Sequence, residues 1–133
     1  MKISVIIPER FKDLLSWEKK AFAQIGLVKK DGTPHVTPVW FEWDGTYFIF
    51  NTARGRVKDK IMRRRAKVAV SISDPADPYR HLEIGGEIVD ETETGAREMI
   101  DRLSQKYRGK DYDWYKGETR VTYKMLPDSV TQK

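Results

Sequence analysis

Hydrophobic and polar positions along the chain fall into two periods. Phe11, Leu14 and Leu15, behind Pro8, stand at i, i+3 and i+4, which predicts a short helix over Glu9 to Trp17 that plugs one end of a core. Alternation then takes over. Strands are predicted over Ala21 to Lys29, Thr33 to Trp43 and Thr46 to Asn51, joined by turns at Lys30-Asp31-Gly32 and Asp44-Gly45. Val57 to Arg65 reads as a short basic helix with Val57, Ile61 and Met62 turned inward. Val68, Val70 and Ile72 alternate again, Asp74 to Pro78 forms a loop, and Tyr79 to Val89 is extended with a bulge at Gly85-Gly86.

The strongest helical stripe is Ala96, Ile100, Leu103 and Tyr107, inside a helix predicted over Glu91 to Tyr107, capped by Thr92 and ended by Gly109. An aromatic loop, Tyr112-Asp113-Trp114-Tyr115, precedes a last strand over Arg120 to Leu126. Six strands with short helices suit a small closed sheet, because closure removes exposed edges. The expectation is a mainly β fold in one domain covering residues 1–133.

Composition narrows the picture modestly. The 133 residues carry 25 Lys plus Arg against 20 Asp plus Glu, a formal charge of +5, which favours anionic partners without demanding a nucleic acid. Cysteine is absent, so no disulfide framework or thiolate metal site is expected, and a reducing cytoplasm is the default compartment. No apolar run approaches the ~20 residues of a membrane span, and the first residues do not read as a secretory leader, so no membrane association is expected. The two histidines, His35 and His81, are far apart with no acidic cluster at ligand spacing, and no serine sits in a Gly-x-Ser-x-Gly elbow. Metal and hydrolase chemistry therefore lack support.

Two stretches stand apart. In Asp31 to Phe41, Pro34 and Pro38 cannot donate ladder hydrogen bonds, so their strand is an edge or leaves backbone groups free to pair with a heteroaromatic ring. In Asn51 to Lys58, a strand end opens a basic helix, where Thr52, Arg54, Arg56 and Lys58 offer a hydroxyl, planar guanidinium forks and a point charge suited to phosphate.

With Asp74-Pro75-Ala76-Asp77-Pro78-Tyr79-Arg80, these motifs occur in the order found in the flavin and deazaflavin oxidoreductases of the pyridoxamine 5'-phosphate oxidase-like superfamily, which the chain resembles over about residues 10 to 127. The resemblance implies an FMN-binding type of six-stranded split β-barrel, a homodimer with cofactor sites at the subunit interface, and FMN or coenzyme F420 as the bound group. It implies that Thr37, Pro38, Val39 and Trp40 line the ring. Asn51, Thr52, Arg54, Arg56 and Lys58 would hold the ribityl and phosphate groups, with Tyr79 and Arg80 reaching the site from the partner subunit. The implied activity is hydride transfer to or from a small organic substrate, with no protein residue acting as catalytic base. The basic Arg54 to Arg65 stretch and the Trp-Phe-Glu-Trp run of Trp40 to Trp43 favour F420 over FMN. Two other readings stay open: a basic barrel that binds single-stranded nucleic acid by stacking and charge, and a non-catalytic cofactor carrier.

Overall fold

The computed structural model describes residues 5–113 and 117–132; of the predicted aromatic loop, Trp114 and Tyr115 lie outside the described residues. Among the described residues seven strands, β1 (Ala23–Val28), β2 (Pro34–Val39), β3 (Glu42–Trp43), β4 (Phe48–Ala53), β5 (Lys67–Asp74), β6 (Asp77–Thr92) and β7 (Arg120–Gln132), form one antiparallel sheet in the order β2-β1-β5-β6-β7-β4-β3. Two α-helices, α1 (Val57–Met62) and α2 (Ala96–Arg108), and a 3-10 helix over Glu9–Leu15 complete the fold.

Connectivity dictates the shape. β2 and β3 are the two ends of the sheet, yet only Trp40 and Phe41 separate them in the chain. A flat seven-stranded sheet would hold its ends about 29 Å apart at ~4.8 Å per strand. Three peptide steps reach only about 11 Å. The sheet must therefore curl until its two edges nearly meet, which makes a split barrel. This is also why the single strand predicted over Thr33 to Trp43 is two: its halves belong to opposite edges, and the chain turns at Trp40-Phe41 to pass between them.

Burial follows the layers. β1 alternates between buried Ala23, Ile25 and Leu27 and more accessible neighbours, because one of its faces is uncovered. β4 (Phe-Ile-Phe-Asn-Thr-Ala) is buried at every position. Phe48 and Phe50 enter the barrel core with Val121, Tyr123 and Met125 of β7, while α2 packs on the other face of both strands. Phe11, Leu14 and Leu15 join the core, so the N-terminal turn is the expected plug, wound as a 3-10 helix.

Three predicted features change. β6 runs on through Thr92, so α2 begins at Ala96 rather than Glu91; Gly95, in the left-handed region at φ 74°, is its N-cap, and Thr92 Oγ1 instead accepts the Thr94 N–H at 3.1 Å. Strand pairing along β7 outcompetes helix extension there, since Thr92 pairs with Thr122. Val57 of α1 is exposed rather than inward; Asp59 takes the buried position, with Ile61 and Met62. The last strand continues past Pro127 to Gln132. The bulge expected at Gly85-Gly86 is present, and Gly86 is required there: a Cβ would lie 2.5 Å from the Leu126 carbonyl oxygen and 2.7 Å from the Met125 terminal methyl.

Candidate functional site

The register of β2 explains its prolines. Lys29 N–H donates to the Thr33 carbonyl at 2.9 Å, which makes Lys29 and Thr33 a hydrogen-bonded pair. Such pairs alternate along an antiparallel ladder, so Leu27–His35 and Ile25–Thr37 are bonded while Pro34, Val36 and Pro38 fall in the intervening positions. Their backbone groups point away from β1. Both prolines therefore sit where no ladder donor is needed, and the free edge of β2 presents the carbonyls of Pro34, Val36 and Pro38 with one N–H, that of Val36.

The end of that edge opens into a hollow of about 370 Å³, within the ~300–1,000 Å³ range of small-molecule sites. Phe22, Pro38, Val39 and Trp40 contribute the start of β1 and the end of β2; Asn51 and Ile100 come from β4 and α2; Arg56, Lys58, Tyr112 and Arg120 complete it. No carboxylate is among these lining residues, and three are cations.

α2 holds the aromatic side in place. Tyr107 stacks on Trp40, with ring centroids 5.5 Å apart and planes 12° from parallel, and meets Phe22 at 5.1 Å. The Tyr107 hydroxyl donates to the Ala21 carbonyl at 2.7 Å, and the adjacent Lys106 Nζ donates to the Phe41 carbonyl at 2.8 Å. Two consecutive helix residues thus clamp both strand ends that line the hollow.

The cations differ in their partners. Arg120 is buried, donating from Nε to Asn51 Oδ1 at 2.8 Å and from Nη1 to Glu118 Oε1 at 2.5 Å, with its guanidinium over the Tyr112 ring. Arg56 Nη2 donates to Glu118 Oε2 at 3.1 Å. Lys58, half-buried, has no hydrogen bond or ion pair among the described residues. Burial, then the positive charges of Arg56 and Arg120, push its ammonium below the ordinary lysine range. Such a cation, with no counter-ion among the described residues, can take an external anion.

Of the residues singled out by sequence, Pro38, Val39, Trp40, Asn51, Arg56 and Lys58 line the hollow together. Asn51 is anchored besides, donating from Nδ2 to the Ala96 carbonyl at 2.9 Å and Thr122 Oγ1 at 3.1 Å. The others lie elsewhere. Thr37 belongs to the row of β2 that faces the barrel side, half-buried, its hydroxyl 3.5 Å from the Pro38 carbonyl. Thr52 shares the inner row of β4 with Phe48 and Phe50, and its buried hydroxyl is without a hydrogen-bond partner among the described residues. Arg54 is held by carboxylates, Glu91 at 2.7 Å, Glu93 at 2.9 Å and Asp59 at 3.0 Å, away from the hollow. Arg80 binds Asp13 and Asp74 of its own chain, and Tyr79 is 89% exposed.

Phe22, Ile100, Tyr112 and Arg120 were not singled out by sequence reasoning. For Arg120 a signal existed: it heads the alternating row Arg120, Thr122, Lys124 of the last strand. Only the β4–β7 pairing, which sets Ala53 opposite Arg120, brings it beside Asn51.

A curled antiparallel sheet with short helices and a cation-lined hollow at the end of one edge defines a split-barrel protein. The chain belongs to the pyridoxamine 5'-phosphate oxidase family, whose profile matches residues 7–132. Among solved structures, it is similar to an F420 reductase at 28% identity, covering 94% of this chain and 98% of that one with a TM-score of 0.83. It also shares its fold with the HupZ protein of Group A Streptococcus (18% identity, 96% and 94% covered, TM-score 0.68). A further likeness is the FAD and heme binding protein of Mycobacterium smegmatis (18% identity, 97% and 71% covered, TM-score 0.63). No curated protein matches the chain in sequence.

Proposed function

We propose that this chain is an oxidoreductase that binds coenzyme F420 or FMN in the hollow and transfers hydride to or from a small organic substrate. The observation that carries the reading is Lys58: a half-buried cation with no hydrogen-bond or ion-pair partner among the described residues, beside Arg56 and Arg120, in a hollow that also contains Trp40, Phe22 and the free edge of β2 at Pro38. Lys58, Arg56 and Arg120 would hold the phosphate. The Pro38 carbonyl and the Trp40 backbone would meet the polar edge of the ring, with Trp40 and Phe22 against its apolar surface. When bound, the ring supplies hydride acceptance and donation; the protein orients it and keeps water from it. The family membership, the similarity to an F420 reductase and the net positive charge support F420 as the preferred cofactor.

The functional unit is a homodimer in this proposal. The outer face of β2, β1 and β5 is uncovered, and carries Phe22, Val28 and Val36 at 53, 52 and 67% exposure around small residues such as Gly26, Ala69 and Ser71. Contiguous apolar surface of this kind is characteristic of association. Tyr79, exposed at the β5–β6 turn, would then reach the neighbouring subunit's hollow, its base held by the Arg80 ion pairs.

Two measurements test the reading. Absorbance and fluorescence titrations with F420 and with FMN should show saturable binding of at least one. Reduced cofactor should then be reoxidised by a member of a panel of quinones, enones and tetrapyrroles. Failure to bind either cofactor contradicts the reading; binding without any turnover leaves a carrier.

A further inference from the structure

We infer that Glu118 is a specificity-determining residue of the hollow: a carboxylate built into the chain that occupies Arg56 and Arg120 as a competitor of any anionic ligand. The inference deepens the reading above and rests on the same hollow. One carboxylate bridges two of its three cations, Oε2 to Arg56 Nη2 at 3.1 Å and Oε1 to Arg120 Nη1 at 2.5 Å. An incoming anion must share or displace these bonds and approach a negative charge as it does so.

A purely structural role for the carboxylate is unnecessary. Arg120 is independently fixed by Asn51 Oδ1 and by the Tyr112 ring. The backbone carrying Glu118 is fixed by the Arg54 N–H, which donates to the Thr119 carbonyl at 2.8 Å. Arg120 and the backbone of Glu118 stay in place without the bridge, so what the carboxylate adds at Arg120 is charge. Its consequence is selection: a ligand end with more than one negative charge, either a phosphate monoester or a phosphate followed by carboxylates, outcompetes it through charge-assisted bonds to guanidinium, whereas a single weak anion does not.

The test compares the wild-type chain with Glu118→Gln, which keeps a carbonyl acceptor and loses the charge, and with Glu118→Ala. Pyrophosphate is titrated by calorimetry at low and high salt, and FMN and riboflavin by fluorescence. Both variants should bind pyrophosphate more tightly, about fivefold at low salt and less at high salt. FMN should tighten by a similar factor and riboflavin, which lacks the phosphate, should not change. Pyrophosphate binding that is equal, weaker or undetectable in both variants overturns the inference. Tightened pyrophosphate binding in a chain that retains neither FMN nor F420 supports this inference and refutes the redox reading. FMN binding with pyrophosphate affinity insensitive to residue 118 does the reverse.

Discussion

Lys106 Nζ donates 2.8 Å to the carbonyl oxygen of Phe41, a buried ammonium set on the residue where the chain crosses from one barrel edge to the other. Packed against the rings of Phe41 and Tyr107, it is the link between α2 and the wall of the hollow.

That placement gives stability a measurable pH dependence. Burial pushes the Lys106 ammonium down to about 8 from the ordinary 10.5. Between those values the unfolded chain binds more protons than the native one, so stability rises as pH increases through about 8. The gain by pH 9.5 is on the order of 1–2 kcal/mol. Lys58, lowered by burial and its cationic neighbours, contributes with the same sign. Above about pH 10 the phenols of half-buried Tyr107 and buried Tyr123 act oppositely, since burial raises both and they stay protonated while the unfolded chain ionises. Urea unfolding from pH 7 to 9.5 should show the rise in the wild-type chain and a smaller one in Lys106→Met; an unchanged slope in the variant would remove the assignment.

Asp59 is a fully buried carboxylate with four donors: Tyr123 hydroxyl at 2.7 Å, Gly55 N–H at 2.9 Å, Arg54 at 3.0 Å and Arg63 at 2.7 Å. Burial alone would raise its pKa; the bonds from Tyr123, Gly55 and Arg54 with the charge of Arg63 outweigh that and hold it below the usual range. Its contribution is therefore complete above about pH 4 and is lost as pH falls through the lowered native value. Asp59→Asn should cost about 1–3 kcal/mol at pH 7, because a buried acceptor of four hydrogen bonds loses its charge while Arg54 keeps Glu91 and Glu93. The difference from wild type, read by denaturant titration, should shrink in acid; a difference constant down to pH 2 would contradict the account.

Gly26 separates the proposed association surface from the fold. A Cβ there would find the Ala69 carbonyl at 3.7 Å and the Ala69 Cβ at 4.0 Å, ordinary contacts, and its backbone needs no left-handed conformation. Gly26→Leu should therefore fold with circular dichroism like that of wild type yet sediment as a monomer, and bind cofactor more weakly. A monomeric wild-type chain, or a dimeric variant with full affinity, argues against the proposed interface.

Local patterns were legible and distant pairings were not. The plug of Phe11, Leu14 and Leu15, the Asp31-Gly32 and Asp44-Gly45 turns and the α2 stripe follow from spacing alone, as does the edge position of a strand with prolines four apart. What spacing does not encode is which strand lies beside which. Thr33 to Trp43 looks continuous because its alternation is continuous, and only the curl of the sheet breaks it. Lys106 on a polar-looking helix step and Arg120 at a strand start read as surface residues until Phe41 and Asn51 arrive from about seventy residues away. Arg54 reads as a phosphate ligand from its neighbours in sequence, whereas Glu91 and Glu93, remote in sequence, pair with it in the fold.

The phosphate-binding role of Lys58 is the claim on which the proposed function turns. Affinities of wild-type and Lys58→Ala chains for F420 and FMN, measured by equilibrium fluorescence titration alongside thermal melts, test it most directly. The account predicts binding at least about tenfold weaker in the variant. The melting temperature should be unchanged or higher, because the lysine lost is a partly buried charge with no partner among the described residues. Equal affinity in the two chains would contradict it.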